Sequence, residues 1–201
     1  MEILNLFPTE IFIFKNLNIN NSELILNLEQ LDDIQIKHST TISLLVDLRK
    51  HSKFNSLFQW FDECLENVRQ HMKYDCDKIE ITNSWCNVAL PTYEMFQNYH
   101  KHSMSFYSAV YYLTTGAPTE FEDPVNERKY GQLEVLRHNY RPYEISLAEP
   151  GKLVIFPSWL FHSSLVHRDT EKRYVISFNT LPTGKINHNL ATDSKAEIYI
   201  K

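Results

Sequence analysis

The stretch Glu149-Pro150-Gly151-Lys152-Leu153-Val154-Ile155-Phe156-Pro157-Ser158-Trp159-Leu160-Phe161-His162 decides the fold. A Pro-Gly turn feeds an apolar run that ends at Pro157, and a histidine follows. A short continuous apolar run between turn signals reads as a strand. Eleven residues beyond His162, Arg173 opens a second such run, Arg173-Tyr174-Val175-Ile176-Ser177-Phe178-Asn179. A fixed cation in an apolar β core is costly unless it meets an anion. Arginine's planar fork suits a carboxylate in particular.

Outward from this pair the pattern repeats. Residues 78–88, 106–113, 119–122, 144–147, 152–156, 163–166 and 173–180 read as strands, the third stopping at Asp123-Pro124. Strands at spacings of about ten residues, punctuated by Pro and Gly, indicate a sandwich or barrel. Only four glycines are present, against a 13% share of aromatics, which favours a β-rich core over a glycine-looped nucleotide fold. Residues 125–141 are polar and charged, with Glu127, Arg128, Lys129, Glu134 and Arg137, and read as a long mobile loop that closes over a substrate.

Before residue 78 the periodicity is helical. Asn21-Ser22 can cap a helix from Glu23 towards Leu31, with Leu24, Ile25, Leu28 and Leu31 on one stripe. A longer helix spans about residues 53–74, where Leu57, Phe58, Phe61, Leu65 and Val68 recur at helical spacing. Residues 1–201 thus read as one domain, with a helical scaffold over 1–77, a β core over 78–182 and a C-terminal extension over 183–201.

Composition narrows the function. Apolar residues at 43% and charged residues at 22% match an ordinary soluble globular protein. A formal net charge of −5 argues against nonspecific nucleic-acid binding, which needs a basic face. The apolar start carries Glu2 and Glu10 without a basic n-region, and no run reaches the roughly 20 residues that span a bilayer. Cys64, Cys76 and Cys86 are odd in number and lack CxxC spacing, as reduced buried thiols do. These features imply no membrane partner and a cytoplasmic location.

The chemistry-bearing residues are histidines. In His100-Lys101-His102 the rings are two residues apart, and on an extended chain over 98–103 they share one face, as a chelating pair requires. His167 is an alternative to His162, but it stands closer to Arg173. His38, His51, His71, His138 and His188 have no partner pattern. One of Tyr111 and Tyr112 must face inward, because neighbours on a strand point opposite ways. Ser177 and Asn179 share the parity of Arg173.

Taken together, Asn98-Tyr99-His100-Lys101-His102, Ser108-Ala109-Val110-Tyr111-Tyr112-Leu113, Phe121-Glu122-Asp123-Pro124, the Pro150 to His162 stretch and the Arg173 to Asn179 run resemble one family. It is the set of 2-oxoglutarate/iron(II) oxygenases found in phages and bacteria, distantly similar to prolyl hydroxylases. The resemblance covers about residues 84–182, and Leu6-Phe7-Pro8-Thr9 resembles the family's start. Phe-Pro-Ser-Trp-Leu-x-His is its specific part.

The resemblance implies a double-stranded β-helix, the jelly roll of cupin-like proteins, with iron(II) at its mouth. It implies 2-oxoglutarate and O₂ as cosubstrates, and a hydroxylase acting on an unknown small molecule or protein side chain. If the protein is phage-encoded, its cytoplasm is the host's. His100 and His162 take the proximal and distal metal positions, and Arg173 anchors the far carboxylate of 2-oxoglutarate. Tyr112, Ser177 and Asn179 are further candidates for cosubstrate binding. The superfamily's carboxylate ligand falls on His102, which leaves the site one negative charge short of the usual two-His-one-carboxylate set. Glu120, Glu122 or Asp123 could supply that carboxylate instead. Two competing functions remain: a cupin-like metal-binding module without redox chemistry, which has no need of Arg173, and a hydrolase using Ser158 or Cys86. The hydrolase lacks a GxSxG elbow.

Overall fold

The computed structural model describes residues 8–31, 42–44, 47–91, 94–124, 143–144 and 148–200. In chain order its elements are β1 (Phe12–Lys15), α1 (Asn21–Glu29), β2 (Ile42–Leu44), α2 (Asn55–Met72), β3 (Lys78–Ala89), β4 (Gln97–His100), β5 (Tyr107–Tyr112), β6 (Thr119–Phe121), β7 (Tyr143–Glu144), β8 (Lys152–Pro157), β9 (His162–Ser164), β10 (Arg173–Ile186) and β11 (Ala196–Ile198). The strands build two antiparallel sheets. The larger runs β1-β8-β5-β10-β3-β2, with β11 on the end of β10, and the smaller runs β4-β9-β6-β7. This is the double-stranded β-helix implied above.

Alternation along the central strand β10 explains both faces of the large sheet. Tyr174, Ile176 and Phe178 point to one side, where α2 brings Leu57, Phe58, Phe61, Leu65 and Val68 into a shared core. Val175 points to the other side and packs with Tyr112, Val154, Phe156, Leu160 and Phe121 of the small sheet. Period-2 burial on the strands meets period-3.6 burial on α2, so the helix stripe covers one sheet face and leaves the opposite face for a site. Phe61 is the hub of the helix contact, its ring 5.0 Å from that of Phe178 and 5.4 Å from that of Tyr111.

Three differences from the sequence reading have physical causes. Residues 1–77 are not only helical, since β1 pairs with β8 and β2 with β3. Both are short edge strands, below the length at which alternation declares itself. Strand β10 continues past residue 182 to Ile186 because β11 gives it a further partner. Helix α1 begins two residues early, at Asn21: Asn20 is the N-cap, its Oδ1 accepting from the Glu23 amide at 3.2 Å. Asn21 is instead the first helical residue and accepts from the Tyr111 hydroxyl at 2.7 Å. Asn20→Ala should therefore lower stability to urea by about 1 kcal/mol, the usual worth of an N-cap side chain, whereas a cap at Ser22 would make that substitution neutral.

The expected loop over 125–141 lies outside the described residues, as do positions 145–147 of the expected strand over 144–147. Among the described residues no helix is long and apolar enough to cross a membrane.

Candidate metal centre

The site is built where the small sheet faces the large one. Strand β4 pairs with β9, matching Gln97 with Ser164 and His100 with His162. Three steps on β4 thus oppose two on β9, which is a β-bulge. Gln97 and His100, which parity would set on opposite faces, both line the cavity between the sheets. The strand ends at His100, so His102 does not reach the cavity by strand alternation, as the sequence reading supposed. It is held by its backbone: the His102 amide donates to the Ser158 carbonyl at 3.0 Å, and the Ser158 amide donates to the Phe106 carbonyl at 3.1 Å. Its ring lies 5.6 Å from that of Trp85.

One nitrogen from each of His100, His102 and His162 falls within a mutual 4.8 Å. His100 Nδ1 donates to the Asn98 carbonyl at 2.8 Å, and His162 Nδ1 donates to the Leu160 carbonyl at 2.9 Å. With Nδ1 protonated, the Nε2 lone pairs of both rings are left for the cavity, the arrangement that fixes a ligating tautomer. His102 Nε2 stands 3.3 Å from His162 Nε2. Two nitrogens each about 2.1 Å from one first-row ion stand roughly 3.0–3.4 Å apart, so this pair is already at chelating separation. Burial pushes the His162 imidazole down to about 3, against a partly offsetting bond to Leu160, with His100 and His102 lowering it further. Burial, then His100, brings His102 down to about 4. Both rings are neutral near pH 7, the form that binds metal.

No carboxylate joins the three histidines among the described residues. On β6, Thr119 and Phe121 are buried and Glu120 faces the other way, accepting from the Tyr99 hydroxyl at 2.7 Å. Glu122 and Asp123 are likewise outside the group. His167, weighed as an alternative ligand, is buried elsewhere, its Nε2 donating to the Glu171 carbonyl at 2.7 Å. His51, His71 and His188 also lie outside, and His38 and His138 fall beyond the described residues.

Arg173 enters the same cavity from the large sheet. The eleven residues from His162 to Arg173 do not form a hairpin within one sheet: β9 and β10 belong to different sheets, and residues 165–172 cross between them. Arg173 is 2% exposed. Burial pulls its guanidinium downward, with Tyr112 and Cys86 partly opposing, and among the described residues no carboxylate pairs with it. Among the described residues its Nε has no hydrogen-bond partner. A buried cation left in this state is a site for an anion.

Residues 83–179 match the family model described as "Putative 2OG-Fe(II) oxygenase". Those residues are of the 2OG-Fe(II) oxygenase family. No protein among the curated ones matches it in sequence. Among solved structures it is similar to a prolyl-4-hydroxylase from Pseudomonas putida, with TM-score 0.61, 11% identity and coverage of 88% of this chain and 94% of that one. HygX from Streptomyces hygroscopicus, solved with nickel, 2-oxoglutarate and hygromycin B, gives 0.59 at 12% identity, covering 87% and 84%. A prolyl hydroxylase from Trichoplax adhaerens, in complex with a hypoxia-inducible-factor peptide, gives 0.59 at 13%, covering 86% and 83%.

In this oxygenase the other expected cosubstrate residues divide. Ser177 lines the cavity, whereas Tyr112 and Asn179 do not. Tyr112 does face inward, beneath the Arg173 guanidinium, but its hydroxyl is consumed by Thr119, donating to Oγ1 at 2.7 Å and accepting from the amide at 3.0 Å. Asn179 accepts from Ser108 Oγ at 2.8 Å. Gln97, Trp85 and Thr119 line the cavity without having been foreseen. For Gln97 the bulge removed the parity signal, while Trp85 and Asn87 alternate on β3 and were legible by period. The hydrolase reading loses both nucleophiles: Ser158 is fully buried and bonded to Ser105 and Ser108, and burial pushes the Cys86 thiol up to about 12.

Proposed function

We propose that His100, His102 and His162 hold the iron(II) of this 2-oxoglutarate-dependent oxygenase, that Arg173 receives the far carboxylate of 2-oxoglutarate, and that the enzyme is a hydroxylase. The observation that carries the reading is a single cavity with three convergent imidazoles from one sheet region and, from the facing sheet, a buried arginine that no described carboxylate pairs. A metal-binding module without a dicarboxylate has no use for that arginine.

The donor set fits the metal. Three neutral imidazoles suit a divalent first-row ion and leave positions open for other ligands. Bound iron(II) supplies activation of O₂ coupled to decarboxylation of 2-oxoglutarate to succinate and CO₂. The chain supplies the rest. The carbonyls of Asn98 and Leu160 orient two of the ligand rings. Arg173 and Ser177 present donors for the dicarboxylate on the large-sheet side. Val110, Phe156 and Val175 give the cavity an apolar wall that limits water. Beside the ligands in sequence, Met104, Trp159 and Phe161 are exposed, and Lys101 Nζ lies 5.7 Å from the Phe161 ring centroid. These exposed side chains, neighbours of the proposed ligands in sequence, are candidates to meet a small molecule or a protein side chain.

The test is release of CO₂ from carboxyl-labelled 2-oxoglutarate, together with calorimetric binding of 2-oxoglutarate to the metal-loaded protein without oxygen. Metal-dependent binding with slow uncoupled turnover is expected. Failure of well-folded, metal-loaded protein to bind 2-oxoglutarate would return the chain to the metal-binding module.

A further inference from the structure

His167 is 1% exposed and belongs to no part of the metal group. Its Nε2 donates to the Glu171 carbonyl at 2.7 Å and its main-chain amide donates to the Met95 carbonyl at 2.9 Å, so the residue is held once by its ring and once by its backbone. With the proton on Nε2, the neutral ring carries a lone pair on Nδ1. That Nδ1 is one of two buried side-chain atoms without a hydrogen-bond partner among the described residues; the other is Arg173 Nε. One is an acceptor and the other a donor. A buried polar atom left unsatisfied costs free energy, so two complementary ones in one neighbourhood call for a joint explanation.

Gly116 shows how close they are. A Cβ on this glycine would meet His167 Nδ1 and Cε1 at 3.0 Å and Arg173 Cδ at 3.1 Å. The imidazole and the arginine stem therefore crowd the same Cα, at a backbone φ of +134° that disfavours any side chain. The missing Cβ leaves room there for both groups. Arg173 lines the cavity and His167 does not, so a fixed acceptor stands beside the arginine stem, outside the cavity lining.

We propose that His167 is a positioning residue for Arg173: one water accepts the Arg173 Nε–H and donates to His167 Nδ1, and this bridge sets the plane of the guanidinium fork. The terminal amino groups are then turned towards the cavity, where a bidentate pair with a carboxylate depends on that plane. The proposal rests on the reading of Arg173 as the 2-oxoglutarate anchor.

The experiment measures 2-oxoglutarate affinity calorimetrically on nickel-loaded protein, with nickel affinity and melting temperature recorded in parallel. His167→Phe keeps the ring and removes the acceptor, and should weaken 2-oxoglutarate binding by about fivefold to tenfold, the worth of one sheltered hydrogen bond, with nickel affinity unchanged. His167→Gln, which restores an acceptor, should recover most of the loss. In an Arg173→Leu background, His167→Phe should change 2-oxoglutarate affinity by less than about twofold, because a positioning effect vanishes with the group positioned. Equal losses in both backgrounds, or unaltered affinity in the single variant, would overturn the role of His167. If Arg173→Leu itself leaves 2-oxoglutarate affinity intact, the anchor reading fails instead, which is a distinguishable result. Should His167→Phe not fold, His167→Gln against His167→Leu makes the same comparison between presence and absence of the acceptor.

Discussion

Truncation of His162 to alanine is expected to weaken binding of iron(II), or of nickel as its stand-in, by at least about a hundredfold. Losing an outer partner of a metal ligand already costs roughly 10–100-fold in affinity, and His162 is proposed as a ligand itself. Its ring sits between the Phe156 ring at 4.6 Å and the His100 ring at 4.3 Å, so deletion also opens a small void. The half-buried His100 separates the two effects, because His100→Ala removes a nitrogen with less packing lost. Both variants should lose metal, measured by competition with a chromophoric chelator, and only His162→Ala should also show a clearly lower melting temperature. Glu120→Gln is the control. Its carboxylate belongs to Tyr99 and Ser163 on the outer face of β6, so metal affinity should stay within about twofold, the scatter usual for a distant site. A large loss in Glu120→Gln would mean that the carboxylate swings in and that the three-histidine set is wrong.

The uneven legibility of this site in the sequence follows from how each residue is held. His162 and Arg173 stand at the ends of apolar runs that any β reading finds, and the runs became β8 and β10. The helix stripe from Leu57 to Val68 was equally plain, because 18 residues give α2 five turns in which periodicity can declare itself. His102 was named for a reason that does not hold, since β4 stops at His100 and a hydrogen bond to the Ser158 carbonyl carries the next turn inward. Gln97 was invisible because a bulge reverses parity without leaving a Gly or Pro in the sequence. Asn179 was over-read from parity alone. It lies next to the irregularity at Asn179/Thr180, where the side-chain alternation of β10 is interrupted. Edge strands β1 and β2 were missed because three or four residues carry too few alternations to count. Sequence period reports the regular parts of a β-helix, whereas the site is assembled from a bulge, a turn and a crossing between sheets.

Replacing Arg173 with leucine should raise the 2-oxoglutarate concentration for half-maximal CO₂ release by about tenfold to a hundredfold, the equivalent of roughly 1.5–3 kcal/mol for a charge-assisted pair in a sheltered pocket. The size follows from burial. At 2% exposure the guanidinium has little water to fall back on, and no described carboxylate competes for it. A dicarboxylate that reaches it meets an unscreened charge, whereas an exposed arginine would contribute little. Metal affinity should be unchanged, because Arg173 sits on the large sheet and all three histidines lie outside that sheet. The unliganded protein gives a second, independent sign. An unpaired buried cation is a burden on the fold, so leucine in its place should leave the melting temperature of apo protein equal or higher. The same substitution should abolish most of the stabilisation that added 2-oxoglutarate gives to metal-loaded protein, since ligand stabilisation scales with affinity. A structural arginine would show the reverse pattern, with apo protein destabilised and cosubstrate dependence intact. Apo stability and 2-oxoglutarate dependence therefore move in opposite senses under the two accounts, and one variant separates them.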